Sequence, residues 1–233
     1  MISTLKVLSL LLSYPGQELK DEAGALQAAL EGEGLLKAQT LRALRPLFDE
    51  LTRDDLLELQ GRYVDLFDRT RSLSLHLFEH VHGESRERGQ AMIDLRAAYG
   101  EQGLLMVSDE LPDFLPAFLE FAAVLPLKEA RRTLAEPVHV LQALHERLQA
   151  RGTPYAAVLA ALVELSGARP HPDALQELRA KPDPGADDFE AIDKAWEEEA
   201  VRFGPEPAEP TGLMAKLRAW RRPADGVRTG PNR

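Results

Sequence analysis

Signals that begin and end helices recur almost throughout this chain, and no stretch alternates apolar and polar residues as a half-buried strand would. A first amphipathic helix opens at Ser3 or Thr4 and stops at Tyr14-Pro15-Gly16, while Thr153-Pro154 opens a later helix that closes at Gly167. Leu, Ala, Glu and Arg dominate, whereas Ile, Val, Thr and aromatic residues are sparse, which favours helix over sheet. We therefore predict an all-α fold of roughly eight to eleven helices.

The same helix start and stop signals predict where the folded domain ends. Helical signals continue to Gly204, after which the composition shifts to Pro and Glu and then to Gly, Pro and Arg. We predict a single compact multi-helix bundle domain over residues 1–204. Residues 205–233 are predicted to form a flexible Pro/Arg-rich tail with one short basic amphipathic helix, near residues 211–222.

Charge and cysteine content exclude several classes of function. The formal net charge of -10 argues against nucleic-acid binding, because a phosphate backbone requires a basic face. The absence of cysteine excludes a disulfide framework, a thiolate zinc site and a cysteine nucleophile. No apolar run approaches the length of a membrane span, and residues 5–12 fit a buried first helix better than a signal peptide. We predict a cytoplasmic protein whose contact with a membrane is at most transient.

A dense cluster of titratable residues follows residue 75. His76-Leu77-Phe78-Glu79-His80 spells H-x-x-E-H, a zinc-peptidase signature in which two histidines of one helix face hold zinc and the glutamate acts as general base. His82 lies too far round a regular helix to join that pair. The alternative is an ordinary half-exposed helix whose His and Glu side chains form hydrogen bonds and ion pairs. From the pattern alone both interpretations stay open.

Four motifs, in the same order, resemble one family. They are the run LFDRTRSLSLHLFEHVHGESRERGQAM (66–92), the segment LSLLLSYP (8–15), the loop DELPDFLP with the FLEF that follows (109–121), and WEEE to FG (196–204). Together they resemble the nitrate reductase molybdenum-cofactor assembly chaperones, the NarJ (delta subunit) family. That family lies within the all-helical redox-enzyme maturation chaperones that include TorD and DmsD. One departure is Phe114, where the wider group often has His.

The resemblance implies a chaperone rather than an enzyme. It implies binding to the N-terminal segment of the catalytic (alpha) subunit of a respiratory nitrate reductase, which is kept competent for molybdenum-cofactor insertion while its membrane attachment is delayed. It implies no catalytic residues, no metal and no permanently bound cofactor, the molybdenum cofactor being handled only through the client enzyme. Cofactor-biosynthesis proteins are further candidate partners.

A helical body of net acidic charge could take an amphipathic, partly basic peptide in a groove, where apolar anchors supply affinity. The candidate apolar anchors, which could equally be ordinary core, are Tyr63, Phe67, Leu75, Phe78, Leu115 and Phe118. The candidate polar contacts, too dense to be packed unpaired in a core, are Arg69, His76, Glu79, His80, His82, Glu84, Arg86, Arg88 and Gln90. Asp113 is either a partner contact or simply the N-cap of its own helix.

Overall fold

The computed structural model describes residues 1–82, 86–106 and 110–183, and the side chains of residues 82, 86 and 87 are excluded. Within these ranges the chain forms twelve α-helices and one 3-10 turn, Arg71–Leu73. The first six helices are α1 (Ser3–Leu11), α2 (Gln17–Asp21), α3 (Ala23–Glu33), α4 (Ala38–Arg53), α5 (Leu56–Phe67) and α6 (Leu77–His82). The others are α7 (Arg86–Glu101), α8 (Leu115–Val124), α9 (Leu127–Ala135), α10 (Val138–Ala150), α11 (Ala156–Ser166) and α12 (Pro172–Ala180).

The predicted all-α bundle is confirmed, but the predicted number of eight to eleven helices is too low, because the described residues alone contain twelve. In the part of the chain that the structure describes, the only strand-like feature is an isolated antiparallel bridge between His76 and Phe114. No helix among the described residues is long and apolar enough to cross a membrane. The tail, the WEEE to FG motif (196–204) and the domain boundary at residue 204 lie outside the described residues, so the domain division stays a prediction.

Apolar side chains repeat every three or four residues and form the core between the helices. Helix α1 packs along α8 and also contacts α3, while α11 packs along α10 and contacts α4 and α9. The inner face of α1 buries Leu5, Leu8 and Leu11, and the inner face of α11 includes Leu159 and Leu162. Each such leucine contributes about 1.5–3 kcal/mol when it is fully removed from water. This repeated burial fixes which face of each helix is turned inward.

Two helices begin with no side-chain cap of their own and receive one from a distant glutamate. The Glu33 carboxylate accepts hydrogen bonds from the backbone N–H groups of Ser3 (3.0 Å) and Thr4 (2.6 Å) at the start of α1. Burial alone would raise the pKa of Glu33, but the hydrogen bonds from Thr4 and Ser3 outweigh it and lower the pKa below its ordinary value. These bonds satisfy donors that every helix N-terminus leaves open.

Helix α4 is capped in the same way by a glutamate that lies 127 positions after Lys37. The Glu164 side chain, on α11, accepts from the backbone N–H of Lys37 (2.7 Å) and from the Thr40 hydroxyl (2.5 Å). The first residues of α4 are therefore tied to α11 by hydrogen bonds as well as by packing.

Candidate partner-binding site around the histidine segment

The site is built on residues 70–80, which we call the histidine segment and which link α5 to α6. It begins with the 3-10 turn, becomes extended, and enters α6 at Leu77. Two backbone hydrogen bonds flank the His76–Phe114 bridge: Leu115 N–H donates to the Leu75 carbonyl (2.8 Å), and Leu77 N–H donates to the Asp113 carbonyl (3.1 Å). The segment is thereby fixed against the residues that precede α8.

Asp113 is fully buried and organises this junction. Its carboxylate accepts from the backbone N–H of Phe78 (3.0 Å), in the first turn of α6, and lies 3.3 Å from Nδ1 of His76. The residue at the N-cap of α8 is instead Phe114, with no side-chain cap. The interpretation of Asp113 as the cap of its own helix is therefore wrong, because its side chain caps α6 across the junction.

His76 is partly exposed and surrounded by acidic groups. The hydrogen bond to Asp113 raises the pKa of His76 above its ordinary value, with further contributions from Glu79 and Glu110, although burial opposes the shift. Burial raises the pKa of nearby Asp68, and His76 partly offsets that rise. The Phe114 ring lies 5.4 Å from the imidazole, centroid to centroid. The neighbouring acids therefore stabilise the protonated form of His76, whose side chain is partly exposed.

His80 behaves in the opposite way. Its Nε2 lies 2.8 Å from the Ser74 carbonyl, and the side chain is buried. Burial lowers the pKa of His80 to about 4; the hydrogen bond to Ser74 opposes this, while the positive charges of Arg147 and Lys181 add to it. The imidazole is consequently neutral near pH 7 and donates its Nε2–H to Ser74. His80 is a core hydrogen-bond donor within the segment.

This geometry does not form the zinc motif. His76 precedes the first residue of α6, so the two histidines do not share a face of one helix, and that expectation is wrong. Nδ1 of His76 is directed to Asp113 and Nε2 of His80 to Ser74. Among residues 1–82, 86–106 and 110–183, no three His, Cys, Asp or Glu side chains are grouped so that they could hold a metal ion.

The six candidate apolar anchors all belong to the core. Each exposes 5% or less of its surface. Tyr63 and Phe67 form an aromatic cluster with Tyr155, and the Tyr63 hydroxyl donates to the Leu12 carbonyl (2.9 Å). Peptide contact with Tyr63, Phe67, Leu75, Phe78, Leu115 and Phe118 stays a prediction, and it requires this part of the core to open.

His80 is buried, and the other candidate polar contacts separate into three groups. Glu79 and Arg88 are partly exposed and paired at 3.2 Å, and the charge of Glu79 also acts on His76; we call these three residues the polar rim. Arg69 and Gln90 are exposed and paired within their own neighbourhoods, with Asp65 and Asp94. The described residues do not include Glu84, nor the side chains of His82 and Arg86.

Arg147 was missed by sequence reasoning. It lies in α10, is 9% exposed, and donates from Nη1 to the Ser72 carbonyl and from Nη2 to the Leu178 carbonyl, both at 2.7 Å. Burial lowers the pKa of Arg147, and the negative charge of Asp183 partly offsets that effect. The sequence carries a signal that could have revealed this, because Arg147 falls three residues after Leu144 on the apolar face of its helix.

Residues 18–161 match the family described as nitrate reductase delta subunit. The chain is 42% identical over 200 residues to the nitrate reductase molybdenum cofactor assembly chaperone NarJ of Escherichia coli (strain K12), covering 85% of this chain and 84% of that protein. The chain therefore belongs to the nitrate reductase delta subunit family.

Two further relatives extend the comparison. The probable nitrate reductase molybdenum cofactor assembly chaperone NarW of Escherichia coli (strain K12) is 38% identical over 206 residues, covering 85% of this chain and 83% of NarW. The probable chaperone of the same description, NarJ of Bacillus subtilis (strain 168), is 31% identical over 160 residues, covering 69% of this chain and 86% of the relative.

Proposed function

We propose that this protein is an assembly chaperone of a respiratory nitrate reductase and is not itself an enzyme. The observation that carries the proposal is its similarity to NarJ, which covers 85% of this chain and 84% of the relative at 42% identity. A relationship over nearly the full length of both proteins supports a shared role of the whole fold. The histidine segment supports the non-enzymatic part, because His76 and His80 are committed to hydrogen bonds within the protein.

The client is the N-terminal segment of the catalytic subunit, which the chaperone keeps competent for molybdenum-cofactor insertion while delaying its attachment to the membrane. The molybdenum cofactor is handled through the client alone, and cofactor-biosynthesis proteins are further candidate partners in the cytoplasm. The net charge of -10 favours a client segment with a basic face and disfavours nucleic acid.

The polar rim is the part of the chain to which we assign client contact. His76, Glu79 and Arg88 are partly exposed and carry both signs of charge; His76 and Glu79 belong to the histidine segment, and Arg88 lies on α7. Arg69 and Gln90, together with His82, Glu84 and Arg86, extend this surface in the proposal. Apolar contact would come from the neighbouring core residues if that core opens.

The test is a calorimetric titration of the purified protein with a synthetic peptide from the N-terminus of the cognate catalytic subunit. We expect saturable one-to-one binding. Glu79→Gln and Arg88→Gln should each weaken it by about fivefold, equivalent to ~1 kcal/mol. Glu129→Gln and Arg131→Gln, matched changes on the exposed side of α9, should leave the affinity unchanged. Absence of saturable binding to the unsubstituted protein would contradict the proposal.

A further inference from the structure

Residues 178–183, which comprise the last three residues of α12 and the three that follow it, are fastened to both ends of the histidine segment. At one end, Arg147 joins the Leu178 carbonyl to the Ser72 carbonyl through its two terminal nitrogens. At the other end, Nζ of Lys181 donates to the His80 carbonyl (2.7 Å). Two separate points of the histidine segment are thus bonded to one short stretch of chain that lies about a hundred residues later.

A third fastening involves Asp183. One of its carboxylate oxygens accepts from the Ser72 hydroxyl (2.6 Å) and from Nη2 of Arg151 (2.7 Å), which reaches out from the end of α10. Lys181 and Asp183 are otherwise exposed, so these polar bonds and not apolar burial hold residues 181–183 in place. Leu175 and Leu178 are the buried apolar side chains of α12, and both precede the exposed residues.

The surface to which residues 178–183 are fastened is polar. Ser72, Ser74, His80 and Arg147 are among the few buried polar residues in the described part of the chain, and they stand together here. Separating residues 181–183 from this surface returns hydrogen-bonding groups to water and exposes little apolar area, because Leu178 stays buried in the core. Such a contact opens more easily than a packed apolar one. An Arg that is buried against carbonyl groups, with Asp183 as its nearest counter-charge, also relies on this contact being closed.

We propose that residues 181–183 are a releasable strap that extends from the buried end of α12: closed, as seen here, it holds the histidine segment in place, and open, it frees that segment to rearrange around the client peptide. The inference rests on the proposed function. In this proposal the open form is the one that binds the peptide. The apparent affinity is therefore lower when a smaller fraction of the molecules is open. Release is also the step by which the buried candidate anchors Leu75 and Phe78 become reachable.

The chain contains no cysteine, which permits a test in which one protein is its own control. In the full-length double variant Ser72→Cys/Asp183→Cys, oxidation would join the strap to the histidine segment and reduction would free it, at the pair of positions now hydrogen-bonded. Ser72→Cys alone is the matched control, since it cannot form the intramolecular link. A second variant, Lys181→Met/Asp183→Asn, removes the ammonium donor of Lys181 and the negative charge of Asp183, both at exposed positions, and leaves the core intact.

Two measurements distinguish the opening of the strap from the binding of the client peptide. Hydrogen exchange of residues 70–82 should slow by about tenfold on oxidation of the double variant and accelerate by about tenfold in Lys181→Met/Asp183→Asn. The peptide should bind about tenfold more weakly to the oxidised form than to the reduced form, and more tightly to Lys181→Met/Asp183→Asn than to the unsubstituted protein.

Equal exchange in the oxidised and reduced forms would overturn the strap itself. Exchange that responds while peptide affinity does not would overturn its role in client binding. Loss of peptide binding in the unsubstituted protein would instead refute the proposed function, and with it that role, while the exchange measurement would still decide whether the strap closes the segment.

Discussion

Acidification should destabilise this fold through His80, whose buried imidazole is neutral. Burial holds its pKa at about 4 in the folded protein, whereas in the unfolded chain the pKa returns to about 6.5. The folded-state pKa is the lower of the two, so the unfolded chain binds more protons between these values. The contribution of neutral His80 to the free energy of unfolding is complete above about pH 6.5 and is lost as the pH falls toward 4. Between pH 7 and pH 5 the loss is roughly 2 kcal/mol.

The assay compares urea unfolding of the unsubstituted protein and His80→Gln at pH 7 and pH 5. The glutamine amide can donate to the Ser74 carbonyl, as Nε2 of His80 does, but it does not titrate. Over this interval the unsubstituted protein should lose roughly 2 kcal/mol more than the variant. His171→Gln, at an exposed histidine, should follow the unsubstituted protein.

The difference between the two proteins isolates His80 because other groups titrate in both. His76 acts in the opposite direction: its pKa is raised in the fold, so its contribution is complete below about pH 6.5 and is lost as the pH rises through the folded-state value. Parallel losses in the unsubstituted protein and His80→Gln would refute the reasoning. So would an NMR titration that places the His80 imidazole near its ordinary pKa.

Two further predictions concern carboxylates that cap distant helices. Asp113→Asn should lower the free energy of unfolding by about 1–3 kcal/mol and accelerate hydrogen exchange in α6, because a buried charged acceptor for Phe78 is lost. Asp173→Asn, at an exposed aspartate, is the control. If Asp113→Asn destabilises the protein no more than Asp173→Asn does, Asp113 does not have this role. Glu33→Gln should cost ~1 kcal/mol in a urea unfolding experiment at pH 7, with Glu31→Gln on the same helix as the control. Because the pKa of Glu33 is lowered by folding, that cost should disappear as the pH falls through the folded-state value, and a cost that persists in acid would point to packing instead.

The all-α fold could be predicted because its signals are local. Leucines at three- and four-residue spacing define the inward faces of α1 and α11, and a proline or glycine stands at many of the helix ends. None of these signals requires knowledge of which helix packs against which. Packing then only had to bury faces that the periodicity had already defined.

The candidate site was less predictable because long-range bonds decide it. Where α6 begins depends on Asp113, whose side chain reaches Phe78 from 35 residues further along the chain, and this boundary leaves His76 outside the helix. His80 was expected at a surface because it lies in a dense polar cluster. It is tolerated in the core because the Ser74 carbonyl accepts a hydrogen bond from its Nε2–H. The density of polar residues in the sequence does not reveal this bond.

The capping glutamates have a consequence for how the protein is made. The N-terminal residues of α4 leave the ribosome long before Glu164, which lies 127 positions after Lys37, has been synthesised. Until then the first turn of α4 has only water for its open backbone donors, and the partner helix α11 does not yet exist. The start of α4 should therefore be completed only after residue 164 has emerged, so that a nascent chain arrested earlier presents a frayed α4. During its synthesis the chaperone would therefore pass through a partly folded stage, like the incompletely assembled proteins that its family assists.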